Sequence, residues 1–204
     1  DGVEYAKVPT KVGEQIVAPA DPTKEGYTFA GWRPSVGVMG TADATFEAVF
    51  TAAGDTAYTV NTYVMGTDGT YGDPTSEKLT GTTGSTATYA PEAREGFTVA
   101  DNSVLSGVVA ADSSLVLKVY YSRNQYKLSV DGVESDVYYG AALNIAAPAA
   151  REGFTFTGWN VEVPANMPAS DLTLVSQWNE NDADYTAYNA AVAAAQAKQG
   201  EENY

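Results

Sequence analysis

Cysteine and histidine are both absent from the 204 residues. The first absence removes disulfides, thiolate metal sites and thiol nucleophiles. The second removes the commonest general base and the commonest metal ligand. Basic residues are scarce too: 11 Lys and Arg stand against 26 Asp and Glu, a net charge of −15. That charge repels phosphate backbones and anionic bilayers, which excludes nucleic acid as a partner. It also holds neighbouring copies apart, so a monomer is expected. No apolar run nears the roughly 20 residues a spanning helix needs, so no membrane insertion is expected. No signal-peptide pattern opens the chain, but it reads as a section of something longer, and that gap carries no weight. Any catalysis would fall to carboxylate pairs, Ser/Lys or Tyr chemistry. The expectation is a protein that is not an enzyme, with no catalytic residue, no cofactor and no metal site.

What the chain has in quantity is Tyr (14), Gly (19), Thr and Val, a β-rich composition. One stretch organises it: Arg151–Trp159 reads R-E-G-F-T-F-T-G-W, with a near-copy at Lys24–Trp32 and a partial copy at Arg94–Val99. A motif used three times is a building unit, whereas a catalytic site is usually built once. The same spacing separates Gly13 from Gly140 and Trp32 from Trp159, so the two full copies align without a gap there. Each closes with a polar turn, Met39–Asp43 or Met167–Asp171, and a strand, Ala44–Phe50 or Leu172–Trp178. The later turn lies one residue further on, an insertion of the kind surface loops tolerate. Tyr27 and Phe29, like Phe154 and Phe156, fall on one face of a strand at period 2. Gly26, Gly96 and Gly153 are expected to end short helical turns as left-handed caps.

Asp-Gly-Val-Glu occurs at positions 1–4 and again at 131–134. Asp-Gly is a strong signal for a type I′ hairpin turn. The later copy follows a predicted strand, Gln125–Val130, with Tyr126, Leu128 and Val130 on one face; the earlier has no such strand before it. An open edge is therefore expected in the first repeat, or a strand supplied by another chain, which would make an edge-strand dimer. The middle segment is a longer cousin with predicted strands at Tyr58–Met65, Lys78–Thr83, Leu105–Val109 and Leu115–Tyr121. The tail, Asp182–Gln199, is Ala-rich with helical spacing of Tyr185, Tyr188, Val192 and Ala195. Asp182 or Asp184 is placed to cap that helix and Gly200 to end it.

On these residues, R-E-G-[FY]-T-F-x-G-W followed by M-P-A-x-D-L-T-L-x-x-x-W at Met167–Trp178, the chain resembles the Listeria–Bacteroides repeat family, also called the internalin B-repeat. The first copy departs at Gly40 and Phe50, where the pattern has Pro and Trp. The middle is similar to the mucin-binding-protein (MucBP) module at Tyr58–Tyr63, Thr67–Tyr71 and Ser114–Tyr121. The tail resembles the start of a FIVAR-type helical module. These resemblances imply a mainly β (α+β) fold: tandem small β-grasp-like domains with a C-terminal helix. The boundaries are 1–53, 54–124, 125–180 and 181–204. They imply an extracellular, cell-surface or wall-attached module of a Gram-positive type, acting as a stalk or spacer and in adhesion to host protein, mucin or glycan. The alternative is an accessory carbohydrate- or protein-binding region of a large secreted hydrolase.

Two residue sets follow. Tyr27, Phe29, Trp32, Phe97, Phe154, Phe156, Trp159 and Trp178 sit at motif positions and are assigned to the structural core. Tyr63, Tyr71, Tyr121 and Tyr139 are the candidate ligand contacts, because adjacent strand residues such as Tyr120-Tyr121 and Tyr138-Tyr139 point to opposite faces. Glu25, Glu95 and Glu152 recur on solvated turns and read as structural. Calcium at Asp68 and Asp73, or at Glu180, Asp182 and Asp184, lacks EF-hand spacing. A Lys–Asn or Lys–Asp isopeptide crosslink would need Lys118 or Lys127 to be buried.

Overall fold

The computed structural model describes residues 2–181 and 186–201. The chain divides into two compact units, Asp1–Arg123 and Asn124–Tyr204. It is mainly β, with one described helix at the C-terminal end.

The N-terminal unit contains β1 (Tyr27–Arg33), β2 (Glu47–Ala52), β3 (Thr56–Val64), β4 (Thr75–Gly81), β5 (Thr86–Thr88), β6 (Phe97–Val99), β7 (Ser106–Val108) and β8 (Val116–Arg123). Its main sheet runs β4-β3-β8-β6, with β3 and β8 parallel at the centre and the outer pairs antiparallel. Alternation along β3 and β8 turns Tyr58, Val60, Leu117, Val119 and Tyr121 to one face, where they join Val109 as a buried core. No helix fills that face among the described residues; the β5-β7 ribbon and Leu105 and Leu115 pack there instead.

The C-terminal unit contains β9 (Gln125–Val130), β10 (Val133–Tyr138), β11 (Phe154–Trp159), β12 (Leu172–Leu174), β13 (Ser176–Glu180) and α1 (Thr186–Glu201). β9 lies between antiparallel β10 and parallel β12. β13 continues from β12 after one residue and pairs with β11. The centre is aliphatic: Leu128, Met167 and Leu174, with Leu143, Ile145 and Trp159 packed around them. Asp131 (φ 48°) and Gly132 (φ 84°) are both left-handed, as the type I′ turn requires, and they join Val130 to Val133.

Two expectations need correction. The turns before Gly26, Gly96 and Gly153 are not helical. In each, the amide of the aromatic residue donates to the carbonyl of the motif's basic residue: Tyr27 to Lys24 (3.0 Å), Phe97 to Arg94 (3.2 Å), Phe154 to Arg151 (3.0 Å). A positive φ at the glycine alone, 72–75° across the three, marks a type II β-turn, so the glycine serves as its third residue rather than a helix cap. Gly200, expected to end the last helix, lies inside α1, which extends to Glu201. The capping positions Asp182 and Asp184 fall outside the described residues, as does Tyr185. Tyr188 is exposed.

Candidate binding surface

The recurrent motif works as a small packing device. The type II turn brings its basic side chain back over the ring three residues on: Lys24 over Tyr27 at 4.4 Å and Arg151 over Phe154 at 4.0 Å. In the middle segment Arg94 lies instead over Tyr121 (4.3 Å), and Arg123 covers Phe97 (4.6 Å). Further along, the register slips between Phe29 and Gly31 and between Phe156 and Gly158. The extra residue is a β-bulge, allowed by glycines at φ 123° and 134°. Without it, Trp159 would fall on the face opposite Phe156, because they are an odd number of residues apart. With it, the two rings meet edge to face at 5.5 Å, and Phe29 and Trp32 do so at 5.4 Å. Phe156 also meets its cross-strand partner Trp178 at 5.6 Å, as Phe29 meets Phe50 at 5.8 Å. Phe50 thus fills the position of the final Trp with the same edge-on packing.

All eight motif aromatics, Tyr27, Phe29, Trp32, Phe97, Phe154, Phe156, Trp159 and Trp178, are half-buried. None belongs to the fully buried centres, which Val60, Val109, Leu117 and Val119 form in one unit and Met167 and Leu174 in the other.

The four candidate contact tyrosines do not form one set. Tyr121 is only 3% exposed and its hydroxyl donates to the Glu92 carbonyl at 2.7 Å. It is a core residue, which leaves no ring face for a ligand and removes it from the contact set. Its neighbour Tyr120 points to the outer face. There it stacks on Tyr63, directly across the parallel pair, at 4.5 Å and 12° between planes. Tyr71 meets Tyr120 edge-on at 5.2 Å, and its hydroxyl shares a hydrogen bond with Ser122 Oγ at 2.8 Å. Tyr139 is half-buried in the C-terminal unit, its amide donating to Asn124 O. Tyr63, Tyr71 and Tyr120 are therefore the aromatic patch the fold assembles, on the side of the sheet away from its core. Around it lie Asn61, hydrogen-bonded by Ser76 Oγ at 2.7 Å, and the exposed Lys118. Of the adjacent pair Tyr120-Tyr121, the exposed member is Tyr120. Once Val119 and Leu117 are assigned inward, period 2 turns Tyr121 inward and Tyr120 outward.

Two aspartates serve turns. Asp68 accepts from the amide and hydroxyl of Thr70, which lowers its pKa, and Ser114 does the same for Asp112. Lys127 is exposed, 3.6 Å from both Glu134 and Asp136, and these carboxylates raise its pKa. Lys118 is exposed as well, so neither lysine has the burial that an isopeptide bond requires. Among the described residues no three Asp or Glu side chains gather as a metal-ligand set, and no helix is long and apolar enough to cross a membrane.

The same bulged two-stranded aromatic ribbon, β1-β2 in one full copy and β11-β13 in the other, defines a repeat-built module. The chain belongs to the Listeria-Bacteroides repeat domain family, whose model matches residues 1–56 and 118–194. A protein of Evansella cellulosilytica, provisionally named a membrane protein, is 23% identical over 210 residues, covering 90% of this chain and 31% of the relative. The chain thus spans about a third of the length of that curated relative.

Proposed function

We propose that the chain is a non-catalytic extracellular module of a bacterial surface or secreted protein. Its role is to space and display other parts of a longer polypeptide, with adhesion to host protein, mucin or glycan through the Tyr63–Tyr71–Tyr120 patch. The observation that carries this reading is tandem use of one family repeat, together with a recurring motif whose residues go into folding. In this reading the segment between the repeats is a MucBP-like module and α1 begins a FIVAR-like one. Repeats in series resist collapse when their joints are short. Within the N-terminal unit the joint is held by Ala53, whose amide donates to Gly26 O and whose carbonyl accepts from Thr83 N, both at 2.9 Å. Buried Thr56 and Thr83 share a hydroxyl hydrogen bond beside it at 2.6 Å. Stacked tyrosines with polar neighbours suit a sugar ring or a peptide side chain, since each presents an apolar body and a polar tip.

The test is binding of the protein, beside a Tyr63→Ser/Tyr71→Ser variant, to mucins and a glycan array. Saturable binding that the variant loses, with unchanged circular dichroism, supports adhesion at this patch. Binding that survives the double substitution removes the patch from the reading. Silence across the array leaves spacing as the role.

A further inference from the structure

The outer face of the sheet β4-β3-β8-β6 differs in charge from the chain as a whole. Over the full sequence acidic side chains outnumber basic ones, 26 to 11. β3 and β8 contain no acid, and the one acid of β4, Glu77, pairs opposite Val60 and so faces the core side. Lys78 on β4 and Lys118 on β8 share the outer face with the tyrosine patch, and both are exposed. Neither belongs to an ion pair among the described residues, whereas Lys127 has two carboxylates beside it.

Strand register sets these groups in rows. Tyr63 and Tyr120 are cross-strand partners, and two residues back along both strands Asn61 lies between Ser76 and Lys118. The two rows are about 7 Å apart, twice the rise per residue. Ser76 Oγ donates to Asn61 Oδ1 at 2.7 Å, so the amide nitrogen of Asn61 is left to donate elsewhere, in the same row as the Lys118 ammonium. At the other end of the patch, the Tyr71 hydroxyl is tied to Ser122 and its ring is held edge-on against Tyr120. The loop that carries Tyr71 also carries Asp68, whose carboxylate already accepts from Thr70, and Asp73. The patch therefore has a direction: acids at the Tyr71 end, and lysines with a free amide donor at the Asn61 end.

We propose that this face binds a carboxylate-bearing sugar, of the hexuronic or sialic acid class, with its ring against Tyr63 and Tyr120 and its carboxylate over Asn61 and Lys118. The inference rests on the adhesive reading of the tyrosine patch and adds the sign and place of the ligand's charge. The two carboxylate oxygens accept from the Lys118 ammonium and the Asn61 amide, a charge-assisted pair of hydrogen bonds. The tyrosine rings cover the apolar face of the sugar while their hydroxyls stay among its polar groups. Lys78, one row further on, adds attraction for the same charge. An acidic peptide suits the face less well. Extended peptides dock on sheet edges by backbone pairing, and β3 and β8 are interior strands with both edges already paired. A polyanion suits it less well again, because its further charges would meet a molecule of net charge −15, so a ligand with one isolated carboxylate is favoured.

The experiment titrates the isotope-labelled chain with lactose, sialyl-lactose, a disaccharide ending in glucuronic acid, sulfated lactose and an acidic peptide, and follows the backbone amides by NMR. The expected result is saturable shifts at Asn61, Tyr63, Lys118 and Tyr120 with a carboxylate sugar. Its affinity should exceed that of lactose by about fivefold, the scale of one exposed charge pair. Whichever of the two carboxylate sugars binds identifies the source of the acid. Lys118→Gln should bring the affinity down to that for lactose, Lys118→Arg should retain it, and Lys127→Gln should change nothing. All three positions are exposed, so the fold is not at stake. Equal binding of lactose, or carboxylate-sugar binding untouched by Lys118→Gln, overturns the inference and leaves the adhesive patch standing. Sulfated lactose matching the carboxylate sugars overturns the choice of a carboxylate, and shifts with the acidic peptide alone overturn the choice of a sugar. Absence of shifts with every probe also overturns the inference, and the glycan array then decides the adhesive reading by itself.

Discussion

At the residue scale, the same motif glycine has different neighbours in different copies. A Cβ on Gly153 would meet nothing within 4 Å, whereas on Gly26 it would lie 2.6 Å from Ala111 Cα and 2.8 Å from Thr83 Oγ1. Both glycines hold a left-handed φ, so alanine costs about 1–2 kcal/mol at either from backbone strain. Gly26→Ala must in addition push the first repeat off the middle segment, because the obstruction includes backbone. Urea denaturation should show Gly26→Ala as clearly the more destabilising of the two. Equal losses would mean that the contact with Ala111 yields freely. The basic partner of the motif matters less. Arg151→Ala removes a cation–π contact at an exposed site, worth about 0.5–1 kcal/mol. Leu174→Ala, at the buried centre, should cost about 2–5 kcal/mol in the same assay.

At the element scale, two carboxylates reinforce the strand ends: Asp171, just ahead of β12, accepts the Lys127 amide of β9, and Asp131, just after β9, accepts the Ser176 amide of β13 at 2.7 Å. Hydrogen bonds to a charged acceptor contribute about 1.5–3 kcal/mol, less where exposed. Asp171→Ala should therefore destabilise the last repeat by about 1–2 kcal/mol, with Asp43→Ala near neutral. A comparison of melting curves would show it, and a large loss at Asp43 would mean that its carboxylate also holds the fold. The loop around Asp68 gives a pH signature. A lowered carboxyl pKa stabilises the fold above the ordinary carboxylate value, and that contribution is lost as pH falls through the lowered one. NMR titration should show the Asp68 and Asp112 side chains protonating later on acidification than an aspartate in an unstructured peptide.

Much of this scale was legible in the sequence. β9 was read to its residue, and the Asp-Gly turn to its type, because both rest on local rules of alternation and φ. The bulges at Gly31 and Gly158 were not, since a one-residue slip leaves the apolar pattern plausible on either side and only the paired strand reveals it. Tyr121 was misplaced for a related reason. Two adjacent tyrosines satisfy the alternation equally well until Leu117 and Val119 settle which face is buried. The short helix failed because glycine after Glu suits a helix cap and a type II turn alike, and one hydrogen bond decides between them.

At the scale of the whole molecule, charge and the open edge act against each other. At pH 7 a net charge of −15 opposes approach of two copies, although repulsion between exposed charges fades beyond about 8 Å at physiological salt. Segments 3–8 and 44–46 meanwhile leave backbone groups without a ladder, the feature that draws strands of separate molecules together. Acidification towards the isoelectric point of about 4.1 removes the repulsion and leaves the edge in place. Light scattering should therefore report monomers at pH 7 and association as pH approaches 4. If the edge is responsible, Thr45→Pro, which removes a backbone donor from 44–46, suppresses that association at the same pH with the net charge unchanged. Association of equal extent in that variant would assign it to general loss of charge. In that case the first repeat's edge, open or not, would play no part in how copies of this module meet.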